Sequence, residues 1–425
     1  MRNYLFILFI FFSFITRTVR DLGTDPILSR LTLADIFGAL GLIFGLPMLI
    51  KGFSRASKIS RVYQMSIILV LCFFGPILFS FNIQNTLIES LIILFLILIS
   101  INIFEMFKDK LLSHMLPLLC ITLIVASILG FYDLLAGAFG MPRIFPQRTD
   151  GEALSGFRNA GQAGAYYLTL LTAVIPFRYS KIYEFVSPKN RKLLRISIIF
   201  SLIFIFLTGK IAAYIGLLAG LFLLILLRRN YKALIAFIAV GLCIGLLWNN
   251  LGDILPRTQK RITDKYNSRI VSNLESDSNV TEDSFFARNY GNAVKAFEDR
   301  PFIGSGLGGF AKVYDKNEVH STYFKMLGET GLIGLIGYTL LVLSIFSLFR
   351  YKKYRKINPY ADYLWTMFPL LIGCFISWGY TYHLRKREFW ILVAIIIIAV
   401  YQVRKYNEKA LASPDERALG EIKND

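Results

Sequence analysis

The 425-residue chain is 55% hydrophobic with a mean hydropathy of +0.55, which excludes an ordinary soluble domain. Its formal net charge of +19 does not point to nucleic acid, because the basic residues stand in short clusters between apolar runs, as membrane orientation signals do. The four cysteines, Cys72, Cys120, Cys243 and Cys374, each lie inside an apolar run without a C-x-x-C pair, so they read as packing residues with no disulfide or metal implied.

The first apolar run follows Arg2 and lacks a small-residue cleavage site, so it reads as a span and not as a cleaved signal. About twelve candidate spans of roughly 15–21 residues are expected. They lie near 3–16, 33–50, 62–82, 87–104, 112–132, 161–177, 194–209, 211–227, 232–250, 331–349, 362–381 and 388–403. Thr208-Gly209-Lys210 is the only break between the seventh and eighth. The expected fold is an all-α polytopic membrane protein. Its organisation is a transmembrane region over 1–250, with an outward loop near 133–160, and then a long loop over 251–330. C-terminal spans over 331–403 and a tail over 404–425 complete it.

Lysine and arginine set the orientation. The segments after the even-numbered spans, with both termini, hold about 26 of the 47 basic residues, against about 10 in the short loops of the other side. Both termini are therefore expected in the cytoplasm, and the segments 133–160 and 251–330 outside it. In the first of these, Pro142, Pro146 and Gly151 break any helix, while Arg143, Arg148 and Arg158 bring positive charge to the mouth of the next span. Alone, such arginines would meet lipid phosphates.

The long loop is basic at first, with Arg257, Lys260, Arg261, Lys265 and Arg269. It then turns acidic at Glu275, Asp277, Glu282 and Asp283, whose spacing is too unspecific to imply a metal site. A helix is expected from Phe285 to Asp299, capped by Ser284 and ended at Arg300-Pro301. The cluster Gly304, Gly306, Gly308 and Gly309 superficially matches G-x-G-x-x-G, but no strand precedes it and no βαβ unit surrounds it, so a dinucleotide site is rejected. It is instead a turn that either offers amides to a phosphate or folds back to the membrane.

Of the three histidines, His114, His320 and His383, only His320 lies in the long loop, just before a span. A neutral imidazole is suited to accepting a proton near pH 7. Lys210, between two apolar spans, is the clearest costly charge. It is either a headgroup contact or a cation facing an anionic substrate.

Taken together these residues resemble the O-antigen ligase and polymerase superfamily of bacterial membrane glycosyltransferases. The likeness rests on Arg288 in a loop helix, then Pro301 with Gly304, Gly306, Gly308 and Phe310. His320 follows, and then Glu329-Thr330-Gly331 with Gly334 opening a span. Gly156-Phe157-Arg158-Asn159-Ala160-Gly161-Gln162 and Gly209-Lys210 stand at two further family positions. Two departures are Lys210 in place of an arginine, and Ser321-Thr322 where an asparagine usually follows the histidine.

The resemblance implies a GT-C-like architecture in the bacterial inner membrane, with the long loop periplasmic or extracellular. It implies a polyprenyl-diphosphate-linked glycan donor and a lipid A core or glycan acceptor. In that scheme His320 is the base, and Arg288, Arg158, Lys210 and Arg148 hold the diphosphate. Gly304, Gly306, Gly308 and Glu329 support the loop, without metal or cofactor. A repeat-unit polymerase uses the same donor. A flippase is the alternative class, and it would distribute charge through a central cavity.

Overall fold

The computed structural model describes residues 2–16, 31–145, 155–230, 285–315 and 317–412, with isolated positions 232, 235 and 263. Among these residues the fold is all-helical. The helices are α1 (Arg2–Phe11), α2 (Leu33–Ile59), α3 (Val62–Phe74), α4 (Ile83–Phe107), α5 (Leu116–Phe139), α6 (Ala160–Tyr179), α7 (Pro188–Leu207) and α8 (Ile211–Leu227). Further along the chain come α9 (Phe285–Asp299), the short α10 (Phe310–Val313), α11 (Thr322–Phe346), α12 (Pro359–Ser377) and α13 (Arg387–Ala412).

A helix stands at each expected span except 232–250, which apart from positions 232 and 235 lies outside the described residues. Among the described residues seven helices are long and apolar enough to cross a membrane, and α1 and α8 are shorter apolar helices. The 20-residue α6 and α7 are not among the seven. The first turns of α7 carry Lys189, Arg191, Lys192 and Arg195, and α6 carries Gln162, Tyr166, Tyr167, Thr169 and Thr172.

Helix starts follow local chemistry. Thr32 and Asp35 form a capping box at α2, Asn159 caps α6 through the Gln162 amide, and Ser187 and Asn358 cap α7 and α12, each followed by proline at the first helical position. The centre of the bundle is α6, buried from Ala163 through Phe177, and α13, buried from Glu388 through Val400. A helix apolar on every face belongs inside a bundle. Glycines let α8 and α12 approach closely: a Cβ on Gly373 would lie 2.1 Å from the Gly216 carbonyl oxygen.

Hydrogen bonds and ion pairs tie the helix ends together on two faces. On one, Thr16 donates to Gln162, Arg387 pairs with Asp35, the Phe81 amide donates to the Ser305 carbonyl, and the Thr322 amide donates to the Trp378 carbonyl. On the other, Arg404 donates to the carbonyls of Lys58 and Ile59, and Lys181 to that of Lys356.

The expected span at 331–349 begins earlier. Helix α11 starts at Thr322 and is interrupted at Gly331, with φ 59° and ψ −158°. That conformation is essentially confined to glycine. The interruption frees backbone groups, and the turn after α9 takes them up. The amides of Leu332 and Ile333 donate to the carbonyls of Pro301 and Phe302, and the Ser305 amide donates to the Gly328 carbonyl. A Cβ on Gly331 would stand 2.6 Å from the Phe302 carbonyl carbon.

Gly331→Ala should therefore lower the Tm of the detergent-solubilised protein, with about 1–3 kcal/mol lost to backbone strain alone. Gly291→Ala on α9, where a Cβ meets nothing within 4 Å, should leave Tm unchanged or raise it. Equal Tm values for the two variants would show that the break does not need glycine.

Candidate active site

The first face gathers the residues singled out in the sequence. Helix α9 buries Asn289, Ala293 and Ala296 against Phe310 and Val319. Tyr290 stacks on Phe324 at 4.5 Å and donates through its hydroxyl to the Gly379 carbonyl at 2.8 Å. This docks α9 on the first turn of α11 and on the loop that joins α12 to α13. Arg288, two residues before Tyr290, is half-exposed, with its Nε 3.7 Å from the buried Asp315 carboxylate.

Gly304, Gly306 and Gly308 all have positive φ, at 60°, 86° and 78°. Of the two readings of this turn, the structure favours folding back onto the bundle. The Gly304 amide donates to the Arg300 carbonyl, and the Gly309 amide to the Gly306 carbonyl. The Gly308 amide donates to Glu329 Oε2 at 2.5 Å. These amides are spent inside the protein. A Cβ on Gly304 would lie 2.5 Å from the Glu329 backbone, and one on Gly306 would clash with Ser80.

Glu329 is itself buried, in the turn of α11 just before the break. Its Oε1 pairs with Lys325 Nζ at 2.8 Å, and neither side chain is more than 1% exposed. Lys325 Nζ also sits 4.7 Å from the centre of the Tyr382 ring.

His320 is exposed, immediately before the Ser321 cap of α11. Its amide donates to Asn289 Oδ1 at 3.2 Å, and its Nδ1 lies 2.8 Å from the Glu318 carbonyl. Partial burial pushes its proton affinity down, and the charges of Lys210 and Lys325 lower it further, against the opposing pull of Glu318. These influences favour the neutral form of the imidazole. Ser321-Thr322 has a local role of its own. The Ser321 hydroxyl accepts from the Phe324 amide, and Thr322 Oγ1 donates to the Thr381 carbonyl and accepts from the His383 amide.

Lys210 opens α8 beside the start of α6: its Cβ lies 2.9 Å from where a Cβ on Gly164 would be, and its Nζ 3.4 Å from one on Gly161. The Asn159 Oδ1 lies 3.1 Å from the same Gly161 point, so the lysine amine stands over the cap of α6. Arg158, one residue before that cap, is exposed, and its amide donates to Thr16 Oγ1 at 2.9 Å. Lys210 also acts on His383, whose proton affinity falls well below the ordinary range, chiefly through burial. The charges of Lys210 and Lys325 thus both reach His320, with Arg288 and Arg158 on the adjoining segments. Arg148 and the acidic cluster from Glu275 to Asp283 lie outside the described residues. Among the described residues no group of His, Cys, Asp and Glu could hold a metal ion.

Three parts of the site escaped the sequence reading. Lys325 stands four residues before Glu329 on one helix face, a spacing that marks an ion pair. Glu89 is a lone carboxylate in the apolar run of α4, and the cost of such a charge was its signal. Arg385 bonds both Glu89 and Glu318 at 2.8 Å, a link between distant segments that spacing does not reveal.

Fold and site together define a multi-pass membrane protein with a face of cations around a histidine. Residues 196–339, about a third of the chain, match the family described as O-antigen ligase, and this match supports the O-antigen ligase and polymerase superfamily. The matched region holds Lys210, Arg288, the glycine turn, His320 and Glu329. The family supports a membrane glycosyltransferase type of enzyme acting on lipid-linked glycans. No curated protein matches the chain.

Breaking the buried pair by Lys325→Met should cost about 3–5 kcal/mol, because it strands the Glu329 charge. Adding Glu329→Gln to that variant should recover part of the loss, which urea or thermal unfolding in detergent would read. A larger loss in the double variant would show that the pair does not act as a unit.

Proposed function

We propose that this protein transfers a glycan from a polyprenyl-diphosphate carrier to an acceptor hydroxyl, as an O-antigen ligase does, without a metal ion. The observation that carries this reading is a cation over the cap of α6, Lys210, whose charge reaches the His320 imidazole and opposes its protonation. A diphosphate leaving group and a hydroxyl nucleophile need that pair of functions.

In this mechanism the donor tail lies in the bilayer and the diphosphate meets Arg288, Arg158 and Lys210, with Arg148 as a further cation. The acceptor oxygen attacks the anomeric carbon while His320 takes its proton. The bond from that carbon to the diphosphate oxygen breaks, and the electron pair leaves with the lipid diphosphate. Direct displacement inverts the anomeric configuration. The orientation expected from the basic residues puts this face outside the cytoplasm of the bacterial inner membrane. That is where a lipid A core would be the acceptor.

With purified protein, lipid-linked donor and acceptor, His320→Ala should abolish transfer and leave donor binding measurable; near-normal turnover would remove His320 as the base. Arg288→Ala should weaken donor binding about tenfold or more, the loss of one charge-assisted contact, and unchanged affinity would make Arg288 structural. Activity should persist in EDTA. Loss there would reopen metal binding. Product analysis separates the acceptors: a glycan on lipid A core indicates ligase, a lengthened lipid-linked glycan indicates polymerase, and unconsumed donor would leave only transport.

The pH profile supplies an independent check. The lowered proton affinity of His320 keeps the base form present at pH 7, so activity should fall on the acid side with a midpoint below about 6.5. Lys210→Met removes a charge that opposes protonation, so the acid limb should move to higher pH while the donor KM rises. A limb that stays fixed would place Lys210 too far from the base to matter.

A further inference from the structure

The segment that carries His320 is held at two points on one residue, Glu318. Its carbonyl faces His320 Nδ1 at 2.8 Å. Its carboxylate is bound by Arg385 Nη2 at 2.8 Å, while Arg385 Nη1 binds Glu89 Oε1 at 2.8 Å. A carbonyl oxygen can only accept, so the short contact requires the proton to sit on Nδ1. The Nε2 atom then carries the lone pair.

We propose that Arg385 is a positioning residue for glycan transfer: by bridging Glu89 and Glu318 it holds the Glu318 carbonyl on His320 Nδ1 and fixes the imidazole tautomer whose Nε2 accepts the acceptor proton. This rests on the reading of His320 as the base.

The geometry explains why one arginine serves here. The Glu89 carboxylate is 3% exposed and anchored in α4, whereas Glu318 is 43% exposed and belongs to the chain between α10 and α11. A guanidinium fork can hold a fixed carboxylate on one nitrogen and a mobile one on the other, which a lysine amine cannot do with the same directionality. The Tyr382 ring lies 5.6 Å from the Arg385 guanidinium carbon, and the same ring lies beside Lys325. Asn289 accepts from the His320 amide through Oδ1 and reaches the Glu318 carbonyl through Nδ2 at a long 3.4 Å. Rotation about the His320 side chain is restrained by the Glu318 carbonyl, and the bridge adds to that weak Asn289 contact the anchor of the Glu318 side chain.

The test combines a spectroscopic and a kinetic readout on the full chain. With only three histidines, 15N-histidine labelling in detergent at pH 8 resolves the ring nitrogens, and His320→Gln assigns the His320 pair. Wild type should show the Nδ1–H tautomer at His320. Arg385→Lys should show a mixture of tautomers, and kcat should fall about 10- to 100-fold with the donor KM nearly unchanged. Because Arg385 variants also disturb the buried Glu89, Glu318→Ala provides a second arm: it keeps the backbone carbonyl and the Glu89–Arg385 pair and removes only the anchor. It should give the same tautomer mixture and a similar fall in kcat. An Nε2–H tautomer in wild type, or an unchanged Nδ1–H tautomer in both variants, would overturn the bridge whatever the activity shows. Tautomer loss with normal kcat would overturn the role in transfer by removing His320 as the base, while the bridge itself would stand.

Discussion

The break in α11 at Gly331 is the constraint on which the rest of the site depends. Inside a bilayer an interrupted helix survives only if other protein groups take up its backbone hydrogen bonds. Here Pro301, Phe302 and Ser305 supply them, so the glycine turn and the helix complete one another. The buried Glu329 reinforces the junction by accepting from Gly308 on the turn and from Lys325 on its own helix. The loop is therefore not a flap on top of the membrane domain. Its helix α9 and the His320 segment are placed by the same backbone bonds that make the membrane helix possible.

Electrostatics on this face separates two demands that usually conflict. An anionic leaving group calls for concentrated positive charge, and a general base must remain unprotonated. In the proposed reaction Lys210 serves both needs, and the buried Lys325 joins it in opposing protonation of His320. Glu318 pulls the other way, and its carboxylate is engaged by Arg385. The proton affinity of His320 is thus set first by burial and then by the balance of charges around the ring.

Much of this was legible in the sequence because it is local. Helix α9 ends at Asp299 as Arg300-Pro301 requires, and Lys210 sits at a break between two apolar helices. His320 precedes a helix and stands beside the loop helix that carries Arg288. What was not legible depends on contacts between distant segments. Glu329 was read as the opening of a span, yet it lies inside α11, because a helix can continue past a glycine when another part of the chain mends the break. Arg385 stands beside Lys386 and Arg387 in a short segment, and nothing in its spacing marks it. Only the fold shows that it reaches Glu89 and Glu318, nearly 300 and about 70 positions away in the chain. The glycine cluster had two readings, and the amides of Gly304, Gly308 and Gly309 decide for the internal one.

The loop between α12 and α13 also bears on when the protein becomes competent during its synthesis. Trp378, Gly379 and Thr381 receive the Thr322 amide, the Tyr290 hydroxyl and the Thr322 hydroxyl, and Arg385 holds Glu318. The segment bearing His320 is thus translated well before the residues that hold it in place. A chain still emerging from the ribosome therefore carries His320 and Glu318 before Arg385, which binds Glu318, has been made.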